Sequence, residues 1–149
     1  MSSSERMAHS SVAHMPAIQP LTIMPAAQAI GIDLVQIKRM QEIHQRWGER
    51  ILVRLFTAQE RHACQNGADY RWRSLAGRFG AKEAVKKILA SQGEIAGWTE
   101  IEILNGTYGE PYIKLSGRTQ VALERLGYTR LMLSISHDAG IAIASVIAS

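Results

Sequence analysis

A single cysteine, Cys64, excludes an internal disulfide and sets the expectation of a reduced thiol in a cytoplasmic protein. No apolar run approaches the roughly 20 residues that span a bilayer, so no membrane partner is expected. The first 28 residues hold one arginine and lack a basic stretch followed by a continuous apolar one, which excludes the patterns of a signal or transit peptide. There is no internal repeat, no Walker loop and no dinucleotide fingerprint. His9, His14, His44 and His62 show no metal-ligand spacing.

Hydrophobic residues make up 46% of the 149, enough for one globular domain with a real core. A net charge of +4 and a pI near 9.5 point to an anionic partner without choosing one. Nucleic acid, phosphorylated small molecules and acidic proteins all carry the right sign. Nucleic acid rests on charge alone, since the run Tyr70-Arg71-Trp72-Arg73 is too short to support it.

Residues 1–28, rich in Ser, Ala, Pro and Met with no period, read as a disordered N-terminal extension or as an early start before Met24. The domain proper is expected over 29–149. Ala29 to Asp33 reads as a strand, with Asp33 closing it and capping a helix from about Val35 to Trp47. Met40, Ile43 and Trp47 share a face of that helix, flanked by Arg39, Arg46 and Arg50. The bland reading is a core stripe with a solvated edge; the functional one is a docking helix for an acidic partner. Thr57-Ala58-Gln59-Glu60 is a capping box opening a short helix, which Asn66-Gly67 ends. A long central helix is expected from Asp69 or a neighbour to about Leu89.

The period then changes. Thr99 to Leu104 alternates as a half-buried strand, and Tyr112 to Leu115 returns after a turn. Gly117 to Leu126 is a short helix. Arg130 to Ser136 and Ile141 to Ile147 are strands around a turn at 137–140. Helices first and mostly antiparallel strands after make the class α+β, a central helix packed on a small antiparallel sheet.

The central helix carries the oddest pattern. Leu75, Ala76, Phe79, Gly80, Glu83, Ala84 and Lys87 fall on one broad face, and Arg78, Lys82 and Lys86 form a basic ridge beside it. An acid among alanine and glycine sits where another backbone can come close. Asp33 at a strand end and Glu83 would together suit Mg²⁺, which takes one or two carboxylates plus phosphate oxygens. Each also has a bland reading: Asp33 a cap, Glu83–Lys87 an i,i+4 ion pair, His137 a turn residue.

In order along the chain stand Gly31-Ile32-Asp33 with Arg39, Phe56-Thr57 with Glu60, and Ala76-Gly77-Arg78-Phe79 with Lys82-Glu83-Ala84 and Lys87. Trp98 with Ile101-Glu102-Ile103, Gly109 and Pro111, and Ser134-Ile135-Ser136-His137-Asp138 follow. This set resembles the holo-[acyl-carrier-protein] synthases from about residue 29 to 149. The resemblance implies a 4′-phosphopantetheinyl transferase fold. It also implies transfer of phosphopantetheine from coenzyme A to a serine of an apo acyl carrier protein, releasing adenosine 3′,5′-bisphosphate.

By position, the resemblance makes Asp33 and Glu83 the Mg²⁺ ligands, and Glu83, Lys87 and His137 the catalytic set. Arg78, Lys82, Lys87, Gly109, Pro111 and His137 become coenzyme contacts. Arg39, Met40, Ile43, Arg46 and Arg50 become the carrier-protein surface. It further implies a homotrimer with sites between subunits. The serine proton would go to a metal-bound water or to Glu83, and the residues do not decide between them. Two departures stand out: Gly80 where the family usually has Ala, and Leu89-Ala90-Ser91-Gln92-Gly93-Glu94 where it commonly has a Gly-Thr-Gly loop. The alternative reading is a non-catalytic basic module that binds an acidic partner.

Overall fold

In the computed structural model, residues 29–149 are described; the expected extension over 1–28 lies outside them. The main sheet has three antiparallel strands in the order β1 (Ala29–Gln36), β7 (Ile141–Ala148), β6 (Leu131–Asp138). Each strand alternates, and the register aligns the alternation. Ala29, Gly31, Asp33 and Val35 share their face with Ala142, Ala144, Val146 and Ala148 of β7 and with Ile135 and His137 of β6. Period-2 side-chain geometry sends the intervening residues to the opposite face.

Helix α4 (Trp72–Ala90) lies on the inner face. It has buried residues around most of its circumference, because two core clusters meet on it. Val85, Ile88 and Leu89 join Ile101 and Ile103 of β4 (Ile101–Asn105) and Leu123 of α5 (Gly117–Arg125). Leu75 and Ala76 join Met40, Leu52, Phe56 and Cys64 from the helical half of the chain.

Small residues let α4 cross the sheet closely. A Cβ added at Gly31 would sit 2.1 Å from the backbone oxygen of Ala84, and one added at Gly77 would sit 2.9 Å from Ile135 Cγ2. Glycine is required at both positions by backbone and side-chain approach, not by torsion. The line Gly77, Gly80, Ala84 therefore runs from β6 across β7 to β1.

The α+β class and most elements stand as the sequence led one to expect, with five differences. β1 continues through Gln36 because it pairs with β7 along its whole length, so Asp33 is mid-strand and not a helix cap. Helix α1 (Ile37–Trp47) has no side-chain cap and is instead tied by Ile37 N–H donating to the Gly140 carbonyl, 2.9 Å. Gly48, at φ 64°, breaks the helix, and a second one, α2 (Glu49–Leu55), carries Arg50. After α3 (Ala58–Cys64), β2 (Gln65–Asn66) and β3 (Asp69–Tyr70) form a small hairpin, so α4 begins at Trp72. β6 extends through His137 and Asp138, leaving only Ala139-Gly140 as the turn. The hairpin of β4 and β5 (Pro111–Leu115) has the expected turn between its strands.

Candidate active site

Two clefts along α4 gather the candidate residues. The first, about 530 Å³, lies between β1, α1 and α4 and is lined by Asp33, Gln36, Arg39, Ile43, Phe79 and Glu83, among others. Sheet pairing sets Asp33 beside Ala144, and the helical period sets Glu83 one turn after Phe79 on the same side of α4. The two acids so face one space from a strand and from a helix.

Lys87 extends from the next turn. Its Nζ donates to Asp33 Oδ1 at 2.7 Å and to the Ile32 carbonyl at 2.7 Å. The i,i+4 ion pair Glu83–Lys87 is therefore not made. Glu83 forms no ion pair among the described residues. Burial pushes its carboxyl above the usual range, and the Asp33 charge pushes the same way; Lys86 and Lys87 pull it down.

A divalent cation fits this donor set. Among the described residues no group of three or more His, Cys, Asp and Glu is placed to hold a metal, so no all-protein cage exists. Two hard carboxylate oxygens in an open cleft leave room for waters and phosphate oxygens, the coordination Mg²⁺ favours. The unpaired, repelled charge of Glu83 is what such an ion would neutralise.

The second cleft, about 280 Å³, lies between the first half of α4, the β4–β5 hairpin and β6. Arg78 is 8% exposed, and its guanidinium donates to the Ile103 carbonyl (3.2 Å) and to Asn105 Oδ1 (2.6 Å). Asn105 in turn donates to the Gly109 carbonyl at 2.8 Å, which fixes the hairpin tip bearing Gly109 and Pro111. His137 Nε2 lies 2.8 Å from the Arg73 carbonyl. A carbonyl only accepts, so Nε2 carries a proton.

The structure brings Asp33, Glu83 and Lys87 together, and separately Arg78, Gly109, Pro111 and His137. Asp33 and His137 share the inner face but stand on opposite edge strands, two residues apart in register. Strand spacing makes that about 12 Å between backbones, with α4 crossing between them.

Three expected site residues lie elsewhere. Lys82 has 0% exposure, and its ammonium is consumed by Glu60 Oε2 at 2.7 Å and the Trp98 carbonyl at 2.8 Å. Burial lowers its pKa against the pull of Glu60. It is not a surface phosphate contact. Met40 is 1% exposed and belongs to the core, leaving a carrier protein only its edge in the first cleft. Arg50 is on α2, beyond the Gly48 break, while Arg39, Ile43 and Arg46 remain on α1. Lys86 does not extend the basic ridge either: its Nζ sits 3.9 Å over the Trp98 ring. Sequence reading missed Arg71 and Asn105, which line the second cleft. Neither carries a spacing signal of its own, since the chain folds them there from a hairpin end and a strand end.

With this geometry in hand, the relatives are informative. The family model of the 4′-phosphopantetheinyl transferase superfamily matches residues 29–144. A holo-[acyl-carrier-protein] synthase of Gloeobacter violaceus is 40% identical over 117 residues, covering 78% of this chain and 89% of that protein. One from Desulforudis audaxviator is 41% identical over 119 residues, covering 80% and 90%. The crystal structure of the Helicobacter pylori holo-[acyl-carrier-protein] synthase in complex with coenzyme A aligns with TM-score 0.69 at 34% identity, covering 81% of this chain and 100% of that one. The two-cleft α+β body and the matched stretch from β1 into β7 together place this chain in the 4′-phosphopantetheinyl transferase superfamily.

Proposed function

We propose that the chain transfers 4′-phosphopantetheine from coenzyme A to a serine of an apo acyl carrier protein, with Mg²⁺, releasing adenosine 3′,5′-bisphosphate. The observation that carries the reading is the convergence of Asp33 and Glu83 on one cleft, with Lys87 bonded to Asp33 beside it. In the reaction the serine Oγ forms a bond to the β-phosphorus, and the bond from that phosphorus to the bridging oxygen breaks. The electron pair leaves with the nucleotide.

Such transfer is mainly positioning and charge stabilisation. Mg²⁺ held by Asp33 and Glu83 would neutralise the pyrophosphate. Lys87, which donates to Asp33 Oδ1, would supply a donor for the leaving oxygen. Glu83 or a water on the ion would accept the serine proton. Arg78 presents donors to the coenzyme's remaining phosphates, and His137 lines the same cleft. The altered loop at 89–94 closes on itself, with Ser91 Oγ donating to the Ile88 carbonyl and Glu94 paired with Arg125.

The working form in this reading is a homotrimer. The outer face of the sheet exposes Ile30 (62%), Ile32 and Leu34 (63%) beside Ile141, Ile143 and Met132. An apolar face of that kind is rarely left bare. Pairing it with neighbouring copies would set the acidic cleft of one subunit by the basic cleft of the next. The carrier protein, which is acidic in this reading, would meet Arg39 and Arg46 on α1, with Arg46 over the exposed ring of Trp47. In this reading the enzyme works in the cytoplasm, in lipid or polyketide synthesis; no described helix is long and apolar enough to cross a membrane.

The test is the mass of a purified apo carrier protein after incubation with coenzyme A and enzyme. The carrier should gain the pantetheine arm with Mg²⁺ present and not after chelation. If several apo carriers stay unmodified by wild-type protein with Mg²⁺, the reading fails.

A further inference from the structure

Lys82 is a fully buried cation on α4, directly before Glu83. A lone buried ammonium is costly, and this one is fully engaged. It pairs with Glu60 of α3, donates to the Trp98 carbonyl and lies 5.2 Å over the Phe56 ring. Glu60 in turn accepts from Ile103 N–H at 2.9 Å and from Thr57 N–H at 2.8 Å.

Each partner leads to a cleft. The Ile103 carbonyl accepts from Arg78, so the path Lys82–Glu60–Ile103–Arg78 leaves α4, passes through α3 and β4, and returns to α4 one turn earlier. This fixes the guanidinium that lines the second cleft. On the other side, the Trp98 ring stacks on Phe79 with centroids 5.3 Å apart and planes 14° apart. Phe79 is a wall of the Asp33–Glu83 cleft.

We propose that the Lys82–Glu60 ion pair is a positioning device for the transfer, setting the Phe79 wall of one cleft and the Arg78 anchor of the other, without touching either substrate. Stability alone is a poor reason for such a pair. Replacing a buried ion pair by neutral groups of similar volume is often neutral or stabilising. A pair kept for geometry should instead reveal itself in substrate handling. The proposal rests on the transferase reading, and wild-type activity in the same assay checks that reading separately.

The experiment compares wild type with the neutral double variant Lys82→Met/Glu60→Gln and with Trp98→Leu, which keeps the carbonyl bonded to Lys82. Melting curves establish the folded fraction at the assay temperature. Steady-state transfer then gives kcat and KM for coenzyme A. The double variant, where folded, should show KM for coenzyme A raised about tenfold, since Arg78 loses its fixed anchor. Trp98→Leu should show kcat lowered about tenfold at an unchanged folded fraction, since Phe79 loses its backing. A pair that only stabilises would lower the active fraction and leave KM untouched. Wild-type KM in a folded double variant overturns the proposal. If the double variant does not fold, Trp98→Leu decides alone: wild-type kinetics there overturn it.

Discussion

Lys87 closes on Asp33 across the strand–helix junction, Nζ to Oδ1 at 2.7 Å, and so leaves Glu83 one turn earlier without an ion pair among the described residues. The two acids of the first cleft are therefore unequal. One is already compensated by a cation, and the other is half-buried and repelled by its neighbour.

This inequality has a pH signature. Burial and then the Asp33 charge hold the Glu83 carboxyl above its ordinary value of 4.5. The folded state therefore binds that proton more tightly than the unfolded one. Stability from this group is lost as pH rises through the window above 4.5. Glu83→Gln should melt higher than metal-free wild type at pH 7, with the gap closing towards pH 4. Added Mg²⁺ should raise the wild-type melting temperature and leave Glu83→Gln unmoved; equal stabilisation of both would show that the ion does not use Glu83.

Close approach makes the glycines of this junction unequal as well. At Gly80 an added Cβ would meet Ala144 Cβ and Val35 Cγ2 at 3.4 Å, a snug contact, in a helix where glycine costs about 1 kcal/mol relative to alanine. Gly80→Ala should therefore stabilise the protein by about 0.5 to 1 kcal/mol in urea titrations. Gly31→Ala should destabilise it by more than about 2 kcal/mol, because the obstacle is the Ala84 backbone. Equal effects of the two substitutions would contradict the crossing line described above.

Helix α5 is capped from outside its own segment. Glu100 accepts from the Thr119 hydroxyl at 2.6 Å and from the N–H groups of Thr119, Arg118 and Gly97. The Thr119 hydroxyl above all, with those N–H groups, holds its carboxyl below the ordinary 4.5. Its contribution is present above pH 4.5 and is lost as pH falls through the lower, folded value. Glu100→Gln should cost about 1 kcal/mol at pH 7, the scale of a lost helix cap, and the difference should vanish in acid. A pH-independent difference would assign the loss to packing.

Much of this was legible in the sequence because local rules and tertiary demands agreed. The Thr57–Glu60 capping box formed as its spacing requires, with both reciprocal bonds. The misplaced acid Glu83 did lie by the strand of Asp33. Where reading failed, long-range partners decided. Nothing local says that Lys82 would be buried while Lys87 reaches a cleft, because the choice depends on Glu60, 22 residues away. Asp33 looked like a cap until β7 extended the strand past it. Arg50 looked continuous with α1 until Gly48 took a positive φ. The partition of the site residues into two clefts is a matter of sheet register, which strand patterns alone do not set.

In the proposed trimer the two clefts serve one reaction from different subunits. The direct measurement is complementation: Glu83→Ala and His137→Ala chains, each inactive alone, are co-expressed so that mixed oligomers form, and apo-carrier modification is followed by mass. With sites shared across a trimer interface, random mixing leaves about a quarter of the sites with both halves intact, and activity near that fraction of wild type is predicted. Mixed oligomers no more active than either parent would contradict the account.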